Sequence, residues 1–157
     1  MKILLLSNGR TSDENIRKQL LDFNKRLSHY IDFNHLEIPN VKNANNLNSS
    51  QLKEREGDMI NKYILNGDYI ILLDENGKSY SSIEFSKKIE NFMINSFKRI
   101  VFIIGGAYGF SDKFYSMADE KVSLSKMTFN HQMIRVFFYE QLYRAFTIIK
   151  NEKYHNQ

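Results

Sequence analysis

The amino-acid sequence predicts an α/β fold: an open, mainly parallel sheet with flanking helices. Three observations predict it. Residues 2–7 (KILLLS), 68–74 (DYIILLD) and 99–104 (RIVFII) are short apolar runs bounded by turn residues, the pattern of strands covered on both faces. Amphipathic helical patterns lie between them, as the crossovers of a parallel sheet require. The chain has 157 residues, 42% of them hydrophobic, which is enough for one core and points to a single domain over 1–157.

The elements follow in order. After the first strand, residues 14–27 place Ile16, Leu20, Phe23 and Leu27 at spacings of three and four, the apolar stripe of a helix. Thr11 and Glu14 stand at capping-box spacing ahead of it. Residues 33–39 (FNHLEIP) alternate apolar and polar, as a more exposed strand would. Residues 41–50 (VKNANNLNSS) are asparagine-rich and aperiodic, and read as a mobile linking loop. A second helix is expected over 52–64. The strand at 68–74 runs into Asp74-Glu-Asn-Gly-Lys78, which reads as a turn. Ser81 and Glu84 form another capping-box pair at the start of a helix over 83–94. A strand is also expected just before residues 124–131.

The last element begins near Asn130. It is a long helix with Met133, Ile134, Phe137, Phe138, Leu142, Ala145, Phe146 and Ile149 on its apolar face. His131, Arg135, Tyr139 and Tyr143, at successive i+4 positions, fall on the other side. Glu140 and Arg144 have the favourable acid-before-base order. A short polar tail follows. There are no internal repeats, and one proline marks no domain boundary.

Composition narrows the chemistry. The chain has no cysteine, which removes disulfides, thiolate metal sites and a cysteine nucleophile. No apolar run approaches the roughly 18 residues of a membrane span, and MKILLLSNGR is too short in its apolar part for a secretory signal, so a soluble, cytoplasmic protein is expected. The net charge of +4 leans toward an anionic partner. His29, His35, His131 and His155 form no close ligand pair, so no metal site is expected.

Two loops, 105–112 and 124–131, stand at the carboxyl ends of strands, where ligands of open α/β sheets bind. Gly105, Gly106 and Gly109 give G-G-x-x-G, which matches neither the dinucleotide fingerprint nor a P-loop. SLSK at 123–126 has the S-x-x-K spacing of serine acyl-enzymes, but the S-D-N and K-T-G elements that accompany it are absent, as is G-x-S-x-G. Tyr139 and Tyr143 could stack on bases, although aromatics at helical spacing more often pack inward.

The segments LLDENGK, IIGGAYGFSD and ADEKVSLSKMTFNHQMIRVFFYEQLYRAF, with the terminal YH, strongly resemble the RlmH family. These are bacterial 23S rRNA pseudouridine N-methyltransferases of the SPOUT class, and the match spans the whole chain. The resemblance implies a C-terminal trefoil knot, a homodimer, S-adenosylmethionine as methyl donor, and methylation of ring nitrogen 3 of a pseudouridine in large-subunit rRNA on the ribosome. It also accounts for the glycine spacing, because the donor carries no phosphate.

By that match Leu73, Gly105, Gly106 and the run Leu124, Ser125, Lys126, Met127, Thr128 and Phe129 are donor-contacting positions. Tyr154 and His155, then Arg144 and Glu140, are the candidates for shaping the chemistry. Asn130 and Lys153 stand where the family commonly has proline, and Asn156 where it usually has Lys or Arg. The alternatives are a SPOUT methyltransferase acting on another structured RNA, or a non-catalytic module that binds RNA or a nucleotide.

Overall fold

The computed structural model describes residues 1–155. Its elements are β1 (Lys2–Asn8), α1 (Glu14–Leu27), β2 (Asp32–Ile38), α2 (Ser49–Asn61), β3 (Tyr69–Ser79), α3 (Ser82–Ile94), β4 (Arg99–Ile104), α4 (Asp112–Met117), β5 (Glu120–Ser123) and α5 (Met133–Ile149). The strands form one sheet in the order β2-β1-β4-β3-β5, and every pairing is parallel. Among the described residues no helix is long and apolar enough to cross a membrane.

Side-chain alternation divides the core in two. On one face Ile3, Leu5, Ile71 and Phe102 pack against Ile16 and Leu20 of α1, Phe85 and Ile89 of α3, and Phe138 and Leu142 of α5. On the other, Leu4, Leu6, Leu72, Val101 and Ile103 pack against Ile60 of α2 and Phe114 of α4. Strands covered on both sides must be apolar at every position, which is why the runs at 2–7, 68–74 and 99–104 do not alternate. β2 lies at an edge and does alternate, as expected.

The structure corrects several sequence expectations. The cap of α1 is Asp13, whose Oδ1 accepts the N–H groups of Asn15 at 2.8 Å and Ile16 at 3.0 Å. Thr11 is buried and gives its hydroxyl to Glu37 instead. The Ser81–Glu84 capping box is formed as expected. The segment 41–50 is not a plain linker: Ala44–Asn46 make a 3-10 turn, Asn43 takes a left-handed φ of 55°, and Asn48 caps α2 in a box with Gln51. Asparagine is suited to both jobs, and α2 therefore starts at Ser49 and ends at Asn61 rather than spanning 52–64.

Residues 74–78 are likewise not a free turn. β3 continues to Ser79, and its register against β5 shifts between Leu73 and Lys78. Gly77 lies so close to β5 that a Cβ there would stand 2.7 Å from the backbone of Lys121 and Val122. The irregularity pushes Asp74, Glu75 and Asn76 out of the ladder at the carboxyl end of the sheet.

The polar side assigned to α5 is also wrong in part. Arg135 and Tyr139 are fully buried, while Met133 and Phe137 are 40% and 39% exposed. Tyr139 packs edge-on against Phe33 at 4.9 Å between ring centroids, so it is no stacking platform for bases.

Candidate active site

The carboxyl ends of β3, β4 and β5 open into a cavity of about 580 Å³. Its walls are the register break after β3, the glycine loop after β4, and the loop joining β5 to α5. Leu73, Gly105, Gly106, Leu124, Ser125, Met127, Thr128 and Phe129 all line it; Lys126 is exposed and does not. The lining also includes Tyr108 and His131 from the two loops expected to bind ligand, Asp74 and Glu75, which read as a turn in the sequence, and Tyr115, which sequence reasoning did not single out. The first four lie within motifs already quoted, and Tyr115 lies three residues beyond one.

Local bonding shapes each wall. Gly109 takes φ +73° and donates its N–H to the Gly106 carbonyl at 3.1 Å, closing a tight loop. A Cβ at Gly105 would meet the Phe110 ring at 3.1 Å, and one at Gly106 would lie 2.8 Å from the carboxyl carbon of Glu56. The missing side chains therefore make room for the Phe110 ring and the Glu56 carboxyl behind the loop. Burial raises the Glu56 carboxyl above its usual range. Ser123 donates to the Ser125 carbonyl at 2.9 Å, and the Ser125 hydroxyl accepts the Met127 N–H at 3.0 Å, so the SLSK serines serve to hold the loop.

Two acidic residues sit at the break in β3. Tyr115 donates its hydroxyl to Asp74 at 2.5 Å, and Thr128 donates to Glu75 at 2.7 Å, tying the β3 wall to α4 and to the β5–α5 loop. Burial and Asp74 push the Tyr115 hydroxyl up to about 12. His131, the lining imidazole, is held below its usual pKa by burial and by Arg135. The acidic lining suits a cationic ligand.

Arg135 braces this end of the sheet from beneath. Its guanidinium donates to the Thr11 hydroxyl at 2.7 Å, to Glu37 at 3.0 Å, and to the carbonyls of Asn8 at 2.7 Å and Gly9 at 2.9 Å. Gln132 accepts the N–H groups of Ser12 at 2.9 Å and Asp13 at 3.1 Å. The start of α5, and with it the loop carrying His131, is thus fixed to the end of β1. Beside this network His35 bridges the Ser7 hydroxyl at 2.8 Å and the Tyr139 hydroxyl at 2.9 Å.

The four remaining sequence candidates form a second cluster on α5 and the tail. Glu140 accepts from Arg144 Nε at 3.0 Å, from Arg144 Nη2, and from the Tyr154 hydroxyl at 3.2 Å. Arg144 Nη1 lies 3.2 Å from His155 Nδ1, and the guanidinium sits 4.8 Å over the Tyr154 ring. Burial, then Glu140, raises the Tyr154 hydroxyl above its ordinary value. None of the four lines the cavity, so one chain brings each set together but not the two sets with each other. Lys153 is exposed in the tail turn, and Asn156 lies outside the described residues.

The family described as "Predicted SPOUT methyltransferase" matches residues 1–155, and proteins named ribosomal RNA large subunit methyltransferase H match along their full length. The chain belongs to the RlmH family of SPOUT methyltransferases. The relative from Flavobacterium johnsoniae is 50% identical, and that from Phocaeicola vulgatus 51%, each over 157 residues covering all of both chains. A solved structure, a probable methylase family protein from Haemophilus influenzae, superposes on 99% of this SPOUT chain and 70% of its own with a TM-score of 0.55. At 10% identity that likeness concerns the fold alone.

Proposed function

We propose that this SPOUT methyltransferase binds S-adenosylmethionine in the cavity and methylates ring nitrogen 3 of a pseudouridine in large-subunit ribosomal RNA. It does so as a homodimer with a C-terminal trefoil knot, on the assembled ribosome and hence in the cytoplasm. The observation that carries the donor assignment is the cavity's charge: its acidic side chains, Asp74 and Glu75, suit a sulfonium cation. The substrate follows from the full-length relatives, whose names specify large-subunit rRNA.

The residues fit the donor. Leu73, Ile104, Leu124 and Ile134 offer apolar wall to an adenosyl group, and the main chain of the two loops offers hydrogen-bonding groups to its ring edges. When bound, the donor supplies a methyl carbon whose bond to sulfur breaks as the nitrogen lone pair forms the new C–N bond, leaving a neutral thioether. The chain's own work is positioning and charge stabilisation. The loops hold the cavity rigid through the Thr128–Glu75 and Tyr115–Asp74 bonds. The Glu140–Arg144–Tyr154–His155 cluster receives the target base. Because that cluster stands apart from the cavity of its own chain, a two-fold partner supports the reading by offering its tail to the other cavity. The segment from β4 onward, which supplies both loops, is the part a trefoil knot would involve.

Nucleoside mass spectrometry of 23S rRNA from cells with and without the gene tests the reading, together with transfer from radiolabelled donor to ribosomes, isolated large subunits and protein-free rRNA. The expected result is loss of one N3-methylated pseudouridine in the deletion and transfer to assembled ribosomes. An unchanged nucleoside profile would overturn it, and equal transfer to protein-free rRNA would overturn the ribosomal substrate.

A further inference from the structure

The tail cluster contains a buried polar atom that no described residue satisfies: Nε2 of His155. Its partner nitrogen explains what Nε2 must carry. Arg144 Nη1, 3.2 Å from Nδ1, can only donate, so Nδ1 accepts and the ring proton sits on Nε2. An N–H shielded from water and without an acceptor is unfavourable until a ligand completes it.

The other polar groups of the cluster and of the neighbouring α1 segment are engaged. Glu140 Oε1 accepts from Arg144 and Tyr154, and Oε2 accepts from Gln141 at 2.7 Å. Tyr154 donates its own proton to Glu140. From α1, Arg26 sits 5.7 Å over the Tyr143 ring and pairs with Asp22 at 2.7 Å. Tyr30 donates to Glu152 at 2.5 Å. The Glu140 acceptors are thus engaged, while the Nε2 donor of His155 has no partner among the described residues.

We infer that His155 acts as a fixed hydrogen-bond donor to a carbonyl oxygen of the target base, steadying the imidate, and is not the group that removes the N3 proton. The inference rests on the proposed methylation of a pseudouridine. The proton leaves N3 for water, its electron pair stays on the ring and spreads onto the flanking oxygens, and one of those oxygens takes the His155 N–H. Arg144 adds a positive charge behind the imidazole. No side chain of the cluster needs to change protonation during the step.

Two measurements test it. In the intact protein with 15N-labelled histidine at pH 7.5, the resonances lost in His155→Gln should report a protonated Nε2 and a bare Nδ1. A proton on Nδ1, or on both nitrogens, overturns the assignment. In single-turnover methylation of ribosomes, His155→Ala should lose about 100-fold or more, while His155→Gln, which can still donate, should stay within about ten-fold of wild type. The wild-type rate should rise about ten-fold per pH unit with no step before the imide itself ionises. A glutamine variant as slow as alanine, or a plateau from a single enzyme group, overturns it. Both variants should bind S-adenosylmethionine as wild type does in calorimetry, which checks that they are folded. Failure of the underlying reading is seen separately, as wild-type protein that transfers no methyl to ribosomes, and removes this inference with it.

Discussion

Arg135 Nη2 lies 2.7 Å from the carbonyl oxygen of Asn8, joining the first turn of α5 to the carboxyl end of β1. The side chain is fully buried, and burial opposes its charge while Glu37 offsets the cost. Arg135→Ala removes the cation, frees two carbonyls and leaves Glu37 held by Thr11 alone. Loss of about 3 kcal/mol is expected from urea unfolding, the lower end of the range for breaking a buried pair from one side, because the Glu37 side chain is itself 30% exposed. Arg135→Lys should recover only part of it, since an ammonium cannot reach four acceptors in a planar fork. An Arg135→Ala protein within about 0.5 kcal/mol of wild type would show that the network is incidental.

Acid should destabilise the fold through His35. Burial, then the charge of Arg135, pulls its pKa from 6.5 to about 4. The folded imidazole stays neutral where the unfolded one binds a proton, so stability is full above about pH 6.5 and falls as pH drops toward 4. That difference is worth about 3 kcal/mol. Chemical unfolding at pH 7.5 and pH 5 should show a drop in the wild type that His35→Gln lacks. Equal drops in both would assign the acid sensitivity elsewhere.

What could be read from the sequence follows how local each cause is. β1 and β4 were legible because burial on both faces demands apolar residues at every position. The helix over 14–27 was legible because its stripe is periodic. Gly77 was not, since its requirement comes from the backbone of β5, 44 residues further on at Lys121. Arg135 falls off the apolar face of α5 with its i+4 neighbours His131 and Tyr139, yet its partners Asn8, Gly9 and Glu37 are all distant in sequence. The cavity loops were found because strand ends mark ligand sites, but Asp74 and Glu75 were mistaken for turn residues until the register shift put them on the wall. That Tyr154 docks on Glu140 carries no periodic signal at all, and the terminal YH has meaning only through the resemblance.

If Asp74 favours a cationic donor, it should discriminate between donor and product. The sulfonium carries one more positive charge than the thioether that remains after transfer. Asp74→Asn should weaken S-adenosylmethionine binding about three-fold or more while changing S-adenosylhomocysteine much less, the scale of a partly screened charge pair. Tyr115→Phe, which leaves the carboxylate in place, should preserve the preference. Calorimetry with both ligands decides, and equal losses for the two would mean that Asp74 only shapes the wall.

The separation of the cavity from the tail cluster predicts complementation between subunits. Ser125→Trp should fill a cavity while leaving its own tail intact, and His155→Ala should remove the tail donor while leaving its own cavity open. Each homodimer should be inactive. In a heterodimer isolated through two different tags, the open cavity of the His155→Ala subunit can meet the intact tail of the Ser125→Trp subunit. The reciprocal site then carries both lesions. One of two sites works, so about half of wild-type transfer to ribosomes is expected from a two-fold assembly. Donor binding gives an independent count, because the heterodimer should take up about one S-adenosylmethionine where the wild-type dimer takes two. If the heterodimer binds one donor yet transfers nothing, the tail serves the cavity of its own chain. If the protein is monomeric at micromolar concentration by light scattering, the shared site is excluded outright, and a movement of the tail within one chain must bring His155 to the cavity.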